Sequence, residues 1–314
     1  MGRRVEHVSY HPDYVISLPE GHAFPMRKYE FLHEILVREG LLGPWNEHRP
    51  SEASWETLAL AHDEAYLAKL RDGALSPEEE RRIGMPWSER LVRRARLAVQ
   101  GTIDAADAAR RSRTRLAANL AGGTHHALRD AGEGYCTLND VAVAARLMQR
   151  EHGLRILVVD LDVHHGNGTA AILAGDPAVF TFSMHGAKNF PLKKPPSSLD
   201  VPLEDGTGDD EYLSLLAEHL PQAVERAQPD LAFYLAGVDV AKGDRFGRLS
   251  LTERGIALRD RFVLQEVWAK GVATCLTLSG GYATGADGRT SSERTAELHA
   301  ITHREAHLAL SAAD

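Results

Sequence analysis

The chain has 314 residues, 43% of them hydrophobic and 25% charged, proportions of a soluble globular protein with material for a substantial core. A formal net charge of −8 argues against nucleic-acid binding as its main business, and no run approaches the roughly 18 apolar residues of a membrane span. Two cysteines, Cys136 and Cys275, without a CxxC cannot build a disulfide framework, and the basic N-terminus lacks the apolar run of a signal peptide. A reducing, cytoplasmic setting is therefore expected.

The first third reads as loops and helices. Residues 27–39 are amphipathic, 54–70 form a second helical candidate closed by Asp72-Gly73, and 88–109 a third whose continuity Gly101 weakens. Arg93, Arg94 and Arg96, then Arg110, Arg111, Arg113 and Arg115, lie in alanine-rich stretches and are expected on solvated helix faces. The rhythm then changes. Apolar runs at 155–163, 178–184, 231–237 and 272–278 read as buried strands, with helices at 138–151, 209–227 and 252–270 between most of them. This alternation predicts an α/β fold in one domain over 1–314, a mainly parallel sheet between two helical layers. Such sheets bind ligands in the crevice at the carboxyl ends of their strands.

Polar residues cluster at those ends, where burial without a partner is costly. The first run ends DLDVHHGNG at 160–168, the third GVD at 237–239 and the fourth SGGY at 279–282, while GGTHH lies upstream at 122–126. Asp162 and His164, two apart on an extended chain, project to one face, and Asp239 at another strand end supplies a third ligand. Two carboxylates and an imidazole with an open fourth position suit a catalytic metal; zinc fits best, and iron(II), manganese or cobalt is also compatible. His125 and His126 can share acid and base work near neutral pH. Tyr282 can swing from its turn toward a metal-bound carbonyl.

GGTHHA at 122–127, GYCTLND at 134–140, DLDVHHGNG at 160–168, AGVDVAKGD at 236–244 and SGGY at 279–282 resemble the histone deacetylase family in order and spacing. HDEAY at 62–66, HPDY at 11–14 and FPMRKY at 24–29 resemble its N-terminal signatures, and the Gly-Asn-Gly and FPMRKY details look closest to class IV and its bacterial relatives. The resemblance implies the arginase/deacetylase fold and hydrolysis of an N-acyl amine, most simply acyl-lysine, with one zinc on Asp162, His164 and Asp239. It makes His126 the general base and then acid, His125 its electrostatic partner oriented by Asp160, and Tyr282 the oxyanion donor. Gly134, Tyr135 and Phe190 match the acyl-lysine tunnel. Potassium is implied beneath the zinc, on backbone oxygens of Asp160, Asp162, His164 and Met184 with the Ser183 side chain. Two departures stand out. Asn167 replaces an aspartate common in the family, so His126 should be less basic, and Tyr135 replaces a phenylalanine.

Competing readings are weaker. Gly166, Gly168 and Ala171 partly match a dinucleotide fingerprint, but the next strand ends Ser183-Met184-His185 and lacks the required acid. His299, His303 and His307 lack the HExxH pattern and are expected as a half-exposed stripe on the last helix. A deacetylase of small acylated amines such as acetylpolyamines, an inactive acyl-lysine-binding module, and an arginase-like dimetal hydrolase are the alternatives.

Overall fold

The computed structural model describes residues 4–311. One eight-stranded sheet organises them: β1 (Val8–Ser9), β2 (Glu47–His48), β3 (Leu116–Asn119), β4 (Ile156–Asp160), β5 (Val179–Gly186), β6 (Leu199–Leu203), β7 (Leu231–Leu235) and β8 (Ala273–Thr277). Their order is β2-β1-β3-β8-β7-β4-β5-β6, and every neighbouring pair is parallel. β3, β4, β7 and β8 are buried throughout, as unbroken apolar strands covered on both faces must be.

The helices are α1 (Lys28–Arg38), α2 (Trp55–Leu58), α3 (Glu64–Asp72), α4 (Pro77–Ile83), α5 (Glu89–Arg111), α6 (Asp140–His152), α7 (Asn167–Leu173), α8 (Asp209–Ala227), α9 (Glu253–Ala269) and α10 (Ser292–Ser311). α5 packs on β3, β8 and α6, while α8, α9, α10 and α1 pack in succession, giving the three layers that the alternation predicts. From β4 the chain runs outward through β5 and β6, then returns to lay β7 on the other side of β4. That reversal opens a crevice between β4 and β7 at their carboxyl ends. Among the described residues no helix is long and apolar enough to cross a membrane.

Several expectations need correction. The 54–70 candidate splits into α2 and α3 because the chain turns at 59–62 and restarts behind Asp63. α5 runs straight through Gly101, which lies buried beside Tyr14 and Asn119. Arg94 is not solvated: Nε donates to the Tyr14 carbonyl at 2.8 Å and a terminal nitrogen to the Tyr29 hydroxyl at 2.8 Å, under α5. His299 and His303 are only 1% and 7% exposed, because α10 is enclosed by α1 and α9. β6 escapes the pattern because Pro202 interrupts it, and an edge strand tolerates proline.

Candidate active site at the carboxyl edge

β4 ends at Asp160, so Asp162 and His164 lie in the loop beyond it and not on the strand itself. Carboxylates fold that loop. Asp160 Oδ1 accepts from the Asp162 amide at 3.2 Å, Asp162 Oδ1 from the His164 amide at 2.9 Å, and Asp239 Oδ1 from the Val163 amide at 2.9 Å. Asp160 and Asp162 close local turns in this way and fix their own direction, while Asp239 clamps the loop from another strand end. The result brings His164 Nδ1 within 3.0 Å of Asp162 Oδ1 and 3.1 Å of Asp239 Oδ2. One donor atom from each of the three residues lies within 4.8 Å of the others, and all three are buried.

The remaining Asp162 oxygen accepts from Ser279 Oγ at 2.7 Å and the Gly280 amide at 2.6 Å. A Cβ at Gly280 would stand 2.6 Å from that same oxygen, so only glycine lets the turn approach. Ser279 takes a left-handed φ of 60°, and buried Lys28 holds its carbonyl with an Nζ bond of 3.0 Å. Nothing in the FPMRKY segment alone marks Lys28 for this role, which depends on a carbonyl 251 positions away.

The donor set fits a divalent cation on its own chemistry. Two carboxylates side by side in a buried site repel, and burial together with the Asp162 charge pushes the Asp239 carboxyl up. Burial opposes charge on His164, yet the two carboxylates outweigh it and lift the imidazole to about 10. The cluster thus holds a proton tightly where a metal of nitrogen and oxygen preference could replace it.

Beside the cluster stand the paired histidines. His125 Nδ1 lies 2.7 Å from Asp160 Oδ2, and although burial opposes charge, Asp160 and Asp162 lift it to about 9. His126 Nδ1 lies 2.7 Å from Asn167 Oδ1. Burial first, then the His125 and His164 imidazoles, holds His126 well below the ordinary histidine value. The lowering comes from burial and neighbouring charge, whereas the Asn167 hydrogen bond itself works the other way.

His126, His164, Gly134, Tyr135, Phe190 and Tyr282 line a single cavity of about 530 Å³. Phe190 sets its ring edge-on to His126, with centroids 5.0 Å apart. Phe246, which sequence reasoning missed, packs 5.0 Å from the Tyr282 ring, and its one signal was an aromatic residue shortly after the AGVDVAKGD run. Burial and the two cluster carboxylates push the Tyr282 phenol well above its ordinary value, so it remains a proton donor. Asp244 Oδ2 accepts from the Tyr282 amide at 2.7 Å and fixes that turn. Asp160 and Ser183 are register partners on β4 and β5, and Met184 follows, fully buried. Ser183 Oγ lies 2.9 Å from His185 Nδ1.

Fold and site together define an α/β protein with a buried Asp-His-Asp cluster, spaced so that it could hold a metal, at the switch point of a parallel sheet. The histone deacetylase domain model matches residues 22–298. An uncharacterized protein of Picosynechococcus is 47% identical over 88% of this chain and 92% of its own length. Histone deacetylase 2 of Arabidopsis thaliana is 30% identical over 88% of this chain and 74% of its own, and histone deacetylase 8 of Xenopus tropicalis 30% over 82% and 73%. The solved HDA15 HD domain superposes with a TM-score of 0.77 over 98% of this chain and 89% of that one, at 21% identity, a likeness of fold. The chain belongs to the histone deacetylase family.

Proposed function

We propose that the protein hydrolyses the amide of an acyl-lysine, by deacetylation or removal of a longer acyl group, with zinc held by Asp162, His164 and Asp239. When bound there, the metal supplies Lewis acidity toward the carbonyl and a more acidic water. His126, neutral because its basicity is suppressed, takes the proton of the attacking water and returns one to the leaving amine. His125, paired with Asp160, keeps positive charge beside the developing oxyanion. Tyr282 donates to that oxyanion from the cavity wall. Tyr135 and Phe190 flank the acyl-lysine stem and exclude water, with Gly134 leaving room between them. Potassium is proposed on the oxygens named for it, on segments that the Asp160–Ser183 register pair sets side by side.

The observation carrying this reading is convergence: His126, His164 and Tyr282 face one cavity. Of the cations lining it, Arg82, Lys188 and Arg248 meet Glu133, Glu204 and Asp205 at 3.1, 3.4 and 3.2 Å, and Arg81 has no such partner among the described residues, so the choice between a peptide-borne lysine and an acetylpolyamine is left to the test. The test is amine release from acetyl-lysine peptides, longer acyl-lysines and acetylpolyamines by zinc-loaded protein. Turnover of acyl-lysine is expected. A metal-replete protein inert toward every acyl amine would overturn the reading and favour a binding module.

A further inference from the structure

We propose that Glu133 fixes the orientation of the Asn167 amide and so the tautomer of His126. This makes it a positioning residue for the hydrolysis proposed above, and the inference rests on that reading. A carboxamide has two ends of nearly equal shape, one accepting and one donating. Here Asn167 Nδ2 donates to Glu133 Oε2 at 2.7 Å, which leaves Oδ1 toward His126 Nδ1 at 2.7 Å. An oxygen can only accept, so the proton of neutral His126 must sit on Nδ1, and Nε2 keeps the lone pair a base requires. With the amide turned over, Nδ2 would face Nδ1, the proton would move to Nε2, and Oδ1 would confront the Glu133 carboxylate. An aspartate needs no such device, since both its ends accept. Asn167 does.

Glu133 is itself held. Arg82 Nε donates to its Oε1 at 3.1 Å. Its backbone exchanges two 2.9 Å hydrogen bonds with Cys136 across a tight turn in which Gly134 and Tyr135 both have positive φ, 55° and 66°. The Gly134 and Tyr135 amides donate to the Arg82 and Ile83 carbonyls, at 3.1 and 2.7 Å, and anchor the turn to the end of α4. Among the described residues, no acceptor besides Glu133 takes Asn167 Nδ2. A bond between an amide and an ionised carboxylate biases orientation by on the order of 10- to 100-fold.

The test compares Glu133→Met, Asn167→Asp and the double variant in zinc-loaded protein. It reads kcat and KM on an acetyl-lysine peptide and the nitrogen shifts of ¹⁵N-labelled histidine, with His126 assigned by its loss in His126→Gln. In Glu133→Met, kcat should fall by about tenfold with KM nearly unchanged, and His126 should shift from the Nδ1–H tautomer to a mixture. In Asn167→Asp the same substitution should instead raise kcat, because it removes one of two facing carboxylates, and His126 should stay Nδ1–H. An unchanged tautomer in Glu133→Met, or an equal loss of kcat in both backgrounds, overturns the inference. If the wild type releases no amine from any substrate, the function fails while the nitrogen shifts still decide the tautomer.

Discussion

His164 and His165 are adjacent in the chain yet belong to different clusters. Asp162, His164 and Asp239 bring donor atoms within 4.8 Å of one another, and so do His165, His185 and Asp200. The first cluster carries two carboxylates to one imidazole and sits beneath the cavity that His164 lines. The second carries one carboxylate to two imidazoles and is only partly engaged by its neighbours, since His165 Nδ1 has no hydrogen-bond partner among the described residues. His165 Nε2 lies 3.3 Å from both Asp200 Oδ1 and Ser197 Oγ, Asp200 Oδ2 accepts from the Ser197 amide at 2.8 Å, and His185 meets Ser183. None of the three lines the large cavity. The two clusters thus share donor spacing and differ in charge balance and access, and of the two the first stands beside the large cavity.

The sharpest way to break this comparison is to remove one carboxylate from each cluster. Asp239→Asn should abolish turnover and weaken metal binding by more than the roughly 10- to 100-fold that losing an outer partner costs. Asp200→Asn should keep the metal and change turnover by no more than about threefold. Metal content after dialysis, with amine release, checks both; equal losses would erase the distinction. Next in size, Tyr282→Phe should lower kcat on the order of 100- to 1000-fold with metal content intact, since it removes only the oxyanion donor. A normal kcat would take Tyr282 out of the chemistry.

Smaller is the effect of Asn167→Asp on the pH–rate profile. The base must be unprotonated, and His126 is held below its ordinary value, so the acidic limb of kcat/KM should lie below about pH 6.5. A carboxylate at 167 favours the imidazolium, raises that pKa and moves the limb to higher pH. An unmoved limb would count against His126 as the base. Smallest is the entrance. Arg81→Glu should shift preference from acidic toward basic peptide flanks by about twofold to fivefold at low salt, and less as salt rises.

Much of this arrangement was legible in the sequence, for a physical reason. Buried strands such as 231–235 are unbroken apolar runs, and polar groups massed at their ends mark where the sheet opens. Asp162, His164 and Asp239 stood out on those grounds, and so did His125 and His126. Asp162 and His164 nevertheless lie beyond the strand, and their side chains converge through a loop folded by its own carboxylates. Nothing local marked β1 or β2, two residues each and defined only by their neighbours. Glu133, Phe246 and Arg94 were not legible either. Their roles depend on which distant side chain they meet, 34 positions away in the case of Glu133 and Asn167. Periodicity also misjudged α10, since a helix enclosed on several sides buries His299 and His303 where a surface helix would expose them.

The most direct measurement is anomalous diffraction at the zinc edge from crystals of the purified, zinc-loaded protein. One strong peak should stand among Asp162, His164 and Asp239, with none among His165, His185 and Asp200. A peak confined to the second group, or none at the first, would contradict the account.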